Sequence, residues 1–223
     1  MKQLQRRILV LVCSSVLISA FLVISIAFSN FTRILDDNSK QIMQLMCIEK
    51  RQVIHEKLVN IEESVNTLYH FAVDQIRKSE NLWQNDEKFE EHIRSMRTLV
   101  ETTARYTDGV LSVYYRLDSS IRGPKQGVWL VKNEAGEFIE KEVTDISQYD
   151  EDDIEHVGWY YVPIANEKET WMNPYFNQNM GEEIISYVIP VIVEDQVIGI
   201  VGMDISTSLL YDNVKNVQVY EKG

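Results

Sequence analysis

Cysteine is almost absent from this sequence: two among 223 residues, Cys13 inside an apolar run and Cys47 well beyond it. They are not placed for each other, so no disulfide scaffold supports the fold and a hydrophobic core has to. Cys47 itself reads as a small buried hydrophobe. Basic residues are scarce too, 22 Lys and Arg against 34 Asp and Glu, and a formal net charge of −12 disfavours nucleic acid and anionic lipid as partners. The four histidines, His55, His70, His92 and His156, lack the short spacings of a zinc site. The acidic run from Asp150 to Asp153 lacks the interleaved glycine of a calcium loop and reads as solvated. With no nucleophile paired to a base and no phosphate loop, neither an enzyme nor a bound cofactor or metal is expected.

Against those absences stands one long apolar run, Ile8 to Phe28, free of charged residues and long enough at 1.5 Å per residue to cross about 30 Å of hydrocarbon. A cleaved signal peptide is the competing reading, with Ala27 and Ser29 as its cleavage site, but its apolar stretch is usually shorter. Lys2, Arg6 and Arg7 precede the run and Asp36 and Asp37 follow it, which places residues 1–7 in the cytoplasm and everything after about residue 29 outside. No second run of that length occurs, so a single-pass anchor in a bacterial cell membrane is expected.

From Asn30 to Ser79 there is neither proline nor glycine, and Ile54, Leu58, Ile61, Val65, Leu68 and Ala72 follow one another at steps of four and three. That is a heptad seam on a long stalk helix, available to a second copy of the chain in a homodimer or to the chain's own domain. A return helix carries Phe89, Ile93, Met96, Val100 and Thr103 and ends near Asp108–Gly109, completing a helical segment over 30–107. The pattern then turns strand-like over 109–117, 127–132 and 137–143, with Asn133–Gly136 as a hairpin turn. Residues 145–158 are acidic and turn-rich, a short aromatic segment Trp159-Tyr160-Tyr161 and a loop follow, and two strong strands over 184–194 and 197–205 form a hairpin closed at Asp195–Gln196. An exit helix over 207–223 begins at Ser206 or Thr207. The fold class is α+β, an antiparallel sheet of about five strands on a stalk helix, with a module over 108–206.

The segment from Gly158 to Ser206, GWYYVPIANEKETWMNPYFNQNMGEEIISYVIPVIVEDQVIGIVGMDIS, resembles the membrane-distal half of a double Cache sensor domain. Its signature pieces are Trp159-Tyr160, the stretch from Trp171 to Pro174-Tyr175, Ile185-Ser186-Tyr187 with Pro190-Val191, and Gly199 to Asp204-Ile205. The resemblance implies a PAS-like sheet and an extracytoplasmic small-molecule sensor of a chemoreceptor, histidine kinase or diguanylate cyclase. It also implies a membrane-proximal module that would follow Val219–Gly223, so the sequence reads as a truncated receptor.

In amino-acid-binding members of that family an Arg precedes the Trp-Tyr pair, a Tyr-x-Asp lies in the next loop, and an Asp ends the last strand. Trp159, Tyr160, Tyr175 and Asp204 match. Val157 and Asn177 stand where the Arg and the loop Asp would be, so an ordinary α-amino acid is disfavoured. A carboxylate among aromatic rings suits a cationic amine, and Asn177 leaves room for a neutral heterocycle. Tyr114 and Arg116 share a strand face with Ser112 and are expected to line the same cavity, as is Trp171. Each aromatic residue has a competing role in the core, and Asp204 one as a helix cap. The alternative to a sensor is a ligand-independent, membrane-anchored dimerisation element.

Overall fold

A computed structural model describes residues 2–208, 210 and 211. The described residues divide at Arg51/Gln52 into two compact units, the first holding residues 2–51 and the second those from 52 onward. Helix α1 (Lys2–Lys78) contributes to both. Within the first unit, every described side chain from Ile8 to Phe28 is exposed, and the most apolar 18-residue window has a mean hydropathy of 2.7, long and apolar enough to cross a membrane. Cys47 is exposed rather than buried.

In the second unit α1 ends where Asn81 takes a left-handed φ of 57°, with Arg77 and Lys78 in the last turn, where cations suit the helix dipole. Asn85 caps α2 (Asp86–Tyr106) by accepting a 3.0 Å hydrogen bond from the Lys88 N–H. The chain then enters strand β1 (Ser112–Leu117), a one-turn helix α3 (Ser119–Arg122), β2 (Gly127–Lys132) and β3 (Phe138–Glu140). Helix α4 (Ile154–Asn166) follows, then the short β4 (Thr170–Trp171) and β5 (Tyr175–Asn177), and the long β6 (Glu182–Val193) and β7 (Gln196–Ser206). All pairings are antiparallel, in the order β3-β2-β1-β7-β6-β4, with β5 also on β6.

The five expected strands are all present, and β4 and β5 add two short ones from the loop around Trp171. The β6–β7 turn is Glu194–Asp195, with φ of 53° and 61°, one residue earlier than expected; two positive φ values in a two-residue loop match the twist of the flanking strands. The aromatic segment at 159–161 is helical, as part of α4, which Asp153 caps through the His156 N–H and which continues through Pro163. Of the exit helix, only residues 207, 208, 210 and 211 are described; the rest of that expectation lies outside the described residues.

The sheet separates two apolar clusters. On one face, Ile61, Val65, Leu68, Ala72 and Ile76 of α1 meet Phe89, Ile93, Met96 and Val100 of α2 over Val113, Tyr115, Leu117, Val201 and Met203. The upper half of the heptad seam is therefore used within the chain's own domain, and only Ile54 and Leu58 at its lower end remain half-buried. His92 is sealed into this face: Gln75 Oε1 lies 3.1 Å from its Nδ1 and the Tyr115 hydroxyl 2.9 Å from its Nε2. Since an amide oxygen only accepts, Nδ1 carries the proton and Nε2 accepts from Tyr115. On the other face Tyr114, Val188 and Ile200 pack against Val157, Trp159 and Tyr160 of α4 and against Ile146.

Leu68, fully buried between α1 and the sheet, is expected to lose about 2–5 kcal/mol of stability as Leu68→Ala. Ile48→Ala, at a residue 51 % exposed, should stay within about 0.5 kcal/mol. Urea denaturation of the reconstituted chain, followed by tryptophan fluorescence, separates the two.

Candidate functional site

Three rows of residues cross β1, β7 and β6 on the face that α4 covers. Ser112, Asp204 and Ser186 form the first, Tyr114, Gly202 and Val188 the second, and Arg116, Ile200 and Pro190 the third. Pairing with β2 extends the second row to Trp129. Above them lies a narrow cavity of about 20 Å³, open in part to solvent and lined by Tyr114, Arg116, Trp129, Val143, Thr144, Trp159, Asn177, Asn179, Met180 and Asp204.

Asp204 is only 3 % exposed and none of the ion pairs among the described residues includes it. Its carboxylate accepts from the Ser112 hydroxyl on Oδ2 and from the Tyr114 hydroxyl, 3.3 Å away, on Oδ1. Burial pushes its pKa up to about 6, against hydrogen bonds from Ser112, Ser186 and Tyr114 that favour the charged form. Burial, then the charge of Asp204, raises the Tyr114 phenol, so this hydroxyl stays protonated and donates. Tyr114 reaches Asp204 by leaning over Gly202: a Cβ there would stand 2.6 Å from the end of the ring.

Around this carboxylate the polar groups are mostly bound to one another. The Tyr175 hydroxyl is 3.1 Å from Ser186 Oγ, Asn177 donates to Tyr175 over 3.4 Å, and Asn177 Oδ1 accepts from the Met180 N–H. Asn179 donates to the His156 carbonyl and so ties the loop after β5 to α4. The Trp159 and Tyr114 rings meet edge to face at 5.3 Å.

Five of the residues expected from sequence therefore line one cavity: Tyr114, Arg116, Trp159, Asn177 and Asp204. Tyr175 stands behind Asn177 and Ser186. Tyr160 is buried and turned toward Asp118, to which its hydroxyl donates over 2.5 Å. Trp171 corrects its expectation: β4 pairs it with Tyr187, their rings pack at 4.9 Å, and its indole N–H donates to Glu62 of α1 over 2.7 Å, so it belongs to the face opposite the cavity. Sequence reasoning missed Trp129, Val143, Thr144, Asn179 and Met180. Trp129 was accessible through the β1–β2 register; the other four arrive on loops and carry no periodic signal.

A profile of the methyl-accepting chemotaxis protein-like first PDC sensor domain matches residues 96–212, a little over half of the chain. The chain belongs to that family. The match takes in α2's second half, the whole sheet and the cavity, and it agrees with the double Cache resemblance of the sequence. The solved sensory domain of the Campylobacter jejuni chemoreceptor Tlp3 (CcmL) is similar with a TM-score of 0.56 at 16 % identity, covering 84 % of this chain and 68 % of that one. The Tlp3 domain in complex with L-valine gives the same TM-score, identity and coverage of this chain, and 67 % of its own. The complex with 4-methylisoleucine gives 0.54 at 16 % identity, covering 82 % and 64 %. At these identities the likeness bears on the fold. No curated protein matches the sequence.

Two buried groups on opposite faces of the sheet impose opposite pH dependences. Asp204, raised from 3.8 to about 6, keeps in the folded state a proton that the unfolded chain releases, so its contribution falls as pH rises from about 4 to about 6, by about 3 kcal/mol. His92, lowered by burial from 6.5 to about 4, excludes a proton that the unfolded chain binds, so its contribution rises by about 3 kcal/mol from pH 4 to 6.5. Stability measured across this range should therefore turn against wild type relative to Asp204→Asn as pH rises, and in its favour relative to His92→Gln. Equal slopes for all three proteins would remove both assignments.

Proposed function

We propose that this sensor domain binds a small molecule carrying a protonated amine, held by Asp204 on the α4 face of the sheet. One observation supports it most: a fully buried carboxylate, surrounded by hydroxyls and aromatic rings, with no counter-cation among the described residues. A buried charge left unpaired is costly, and an ammonium supplies the missing charge. Trp129, Trp159 and Tyr114 add rings whose faces attract a cation. L-valine, bound by the Tlp3 domain, also carries an ammonium. That ligand weighs against ruling out amino acids, and the amine is the group both cases share.

The chain is proposed to sit in a bacterial membrane through residues 8–28, with residues 1–7 in the cytoplasm and the sensor outside, on the strength of the basic residues before the apolar run. Ligand binding then favours one of two arrangements of the domain, and the long helix α1, which packs on the sheet and continues into the apolar segment, carries the difference. A purely structural, ligand-independent role is less well supported, since the seam it depends on is largely occupied within the domain.

The test is a thermal-shift screen of the full chain in nanodiscs against amines, amino acids, purines, pyrimidines and organic acids. A ligand at one hundred times its dissociation constant adds about 2.7 kcal/mol, a rise of about 5–10 °C for a chain of this size. An amine or amino acid should give that shift in wild type and lose it in Asp204→Asn. A neutral or anionic ligand whose shift survives Asp204→Asn, or a folded chain that no compound shifts, defeats the reading.

A further inference from the structure

The cavity is closed to ligands in the described arrangement. About 20 Å³ is room for a single water molecule, whereas pockets that hold small organic ligands measure about 300–1,000 Å³. A wall has to move before a ligand reaches Asp204, and the walls differ in how firmly they are held. Tyr114, Arg116 and Asp204 stand on β1 and β7 in the middle of the sheet, and Trp129 on β2, which is paired on both sides. Trp159 belongs to α4, which buries Val157 and Tyr160 and is tied to Asp118 by the Tyr160 hydroxyl. Val143 is itself buried beside Thr144, and Ile146, three residues on, is 1 % exposed.

The remaining wall is the turn 178–181 between β5 and β6, which brings Asn179 and Met180 to the cavity. None of its residues is buried, and segments without buried apolar contacts are the ones that open locally. Three hydrogen bonds tie it to the first turn of α4: the Gln178 N–H donates to the Glu155 carbonyl at 3.2 Å, the Gln178 side chain to the Glu155 carboxylate at 3.0 Å, and the Asn179 side chain to the His156 carbonyl at 2.8 Å. Its internal bonds run instead to Asn177, whose carbonyl accepts from the Gly181 N–H at 2.7 Å and whose Oδ1 accepts from the Met180 N–H at 3.1 Å. Asn177 is buried and paired in β5. The turn can therefore keep its shape while its ties to α4 break.

Breaking those ties leaves little unsatisfied. The His156 carbonyl keeps the Trp159 indole N–H at 2.7 Å, and Gln178 and Glu155 are exposed to water. An opening is costly where it strands buried polar groups, and this one does not. At the far end of the turn, Gly181 has a φ of 72° with open space where a side chain would stand, so the backbone is free to rotate there. We infer that the turn 178–181 is the gate of the cavity: it swings between Asn177 and Gly181, withdraws Met180 from the space above Asp204, and is latched shut by Asn179 on His156. The inference concerns access to the site and holds for a ligand of any charge, so it stands or falls apart from the amine reading.

Ser186, fully buried and paired with Asp204, marks the inside of the cavity. In the full chain in nanodiscs carrying Cys13→Ser, Cys47→Ser and Ser186→Cys, the rate of alkylation by iodoacetamide, an uncharged reagent, reads how often the cavity opens. Adding Asn179→Ala should raise that rate about fivefold or more, the weight of one hydrogen bond. Adding Lys125→Ala instead, which breaks the 2.5 Å pair with Glu142 ahead of the opposite wall, should leave it unchanged. Hydrogen exchange on the chain without Ser186→Cys is the second reading: Asn179→Ala should speed the Gln178 amide by a similar factor and leave the β1 amides alone. Equal alkylation with and without Asn179→Ala, or a rise confined to Lys125→Ala, would overturn the inference, the second result by assigning the opening to residues 143–144. A rise accompanied by faster exchange throughout β1 would overturn it as well, since the whole domain then unfolds to admit the reagent. Should Ser186→Cys fail to fold, the exchange reading decides alone, and an unchanged Gln178 amide overturns the gate.

Discussion

Strand β1 is buried on both faces, and the rest of the domain follows from how its six side chains divide. Alternation sends Val113, Tyr115 and Leu117 to the helices and Ser112, Tyr114 and Arg116 to the cavity. The first set is nearly pure hydrophobe and pins α1 and α2 to the sheet. The second is polar, and a polar side chain in a central strand is tolerable only when every donor and acceptor finds a partner. Ser112 and Tyr114 find theirs in Asp204, and Arg116 finds most of its own in backbone carbonyls. A slip of one residue in the pairing of β1 would exchange the two sets, placing a carboxylate's partners among the leucines and valines of the helix face. The register of the sheet and the composition of the cavity are therefore one constraint.

The same constraint explains the shape of the site. Gly202 lies between Tyr114 and Val188 in the middle row, and its missing side chain lets the Tyr114 ring fall across β7 to Asp204. Tyr114 is both floor and polar partner, a double role open to an aromatic ring with a hydroxyl at its tip. On the opposite surface of the strand, the neighbouring Tyr115 makes the equivalent contact with His92. Both phenols are held by buried titratable groups, one favouring its proton and the other its absence. The two faces are electrostatically distinct although a single peptide separates them.

Much of this was legible in the residues. The apolar run, the proline-free and glycine-free helix, the strand expected over 109–117 and the two long strands are periodic signals that local physics imposes, and each appears, the first strand beginning three residues later than expected, at Ser112. Asp204 was readable because it matches the carboxylate that ends the last strand in amino-acid-binding members of the resembled family. What escaped was non-periodic. Helix α4 contains Gly158 and Pro163, both poor helix residues, and it forms because Asp153 caps it and Val157, Trp159 and Tyr160 bury against the sheet. Trp171 looked like a cavity residue by its neighbours in sequence, but a strand of two residues decided its face. Cys47 is apolar in character and exposed all the same, since burial depends on what lies opposite and not on the residue. Asn179 and Met180 reach the cavity only because the loop after β5 is tied to α4, a tertiary contact that no local pattern encodes.

How a change at Asp204 reaches the helices depends on the stiffness of β1. The strand is hydrogen-bonded on both sides, to β2 and to β7, so it cannot bend locally without breaking ladder bonds. If Tyr114 leaves Asp204 to admit a cation, its ring must rise from the notch at Gly202, and the backbone that carries it also carries Tyr115 on the other face. Tyr115 is held by His92 of α2, and His92 by Gln75 of α1. Close-packed interiors shift between discrete arrangements and do not deform smoothly. A displacement of β1 at the cavity is therefore met either by repacking of α1 and α2 on the sheet or by loss of the Tyr115–His92 bond, and the second leaves two buried polar groups unpaired.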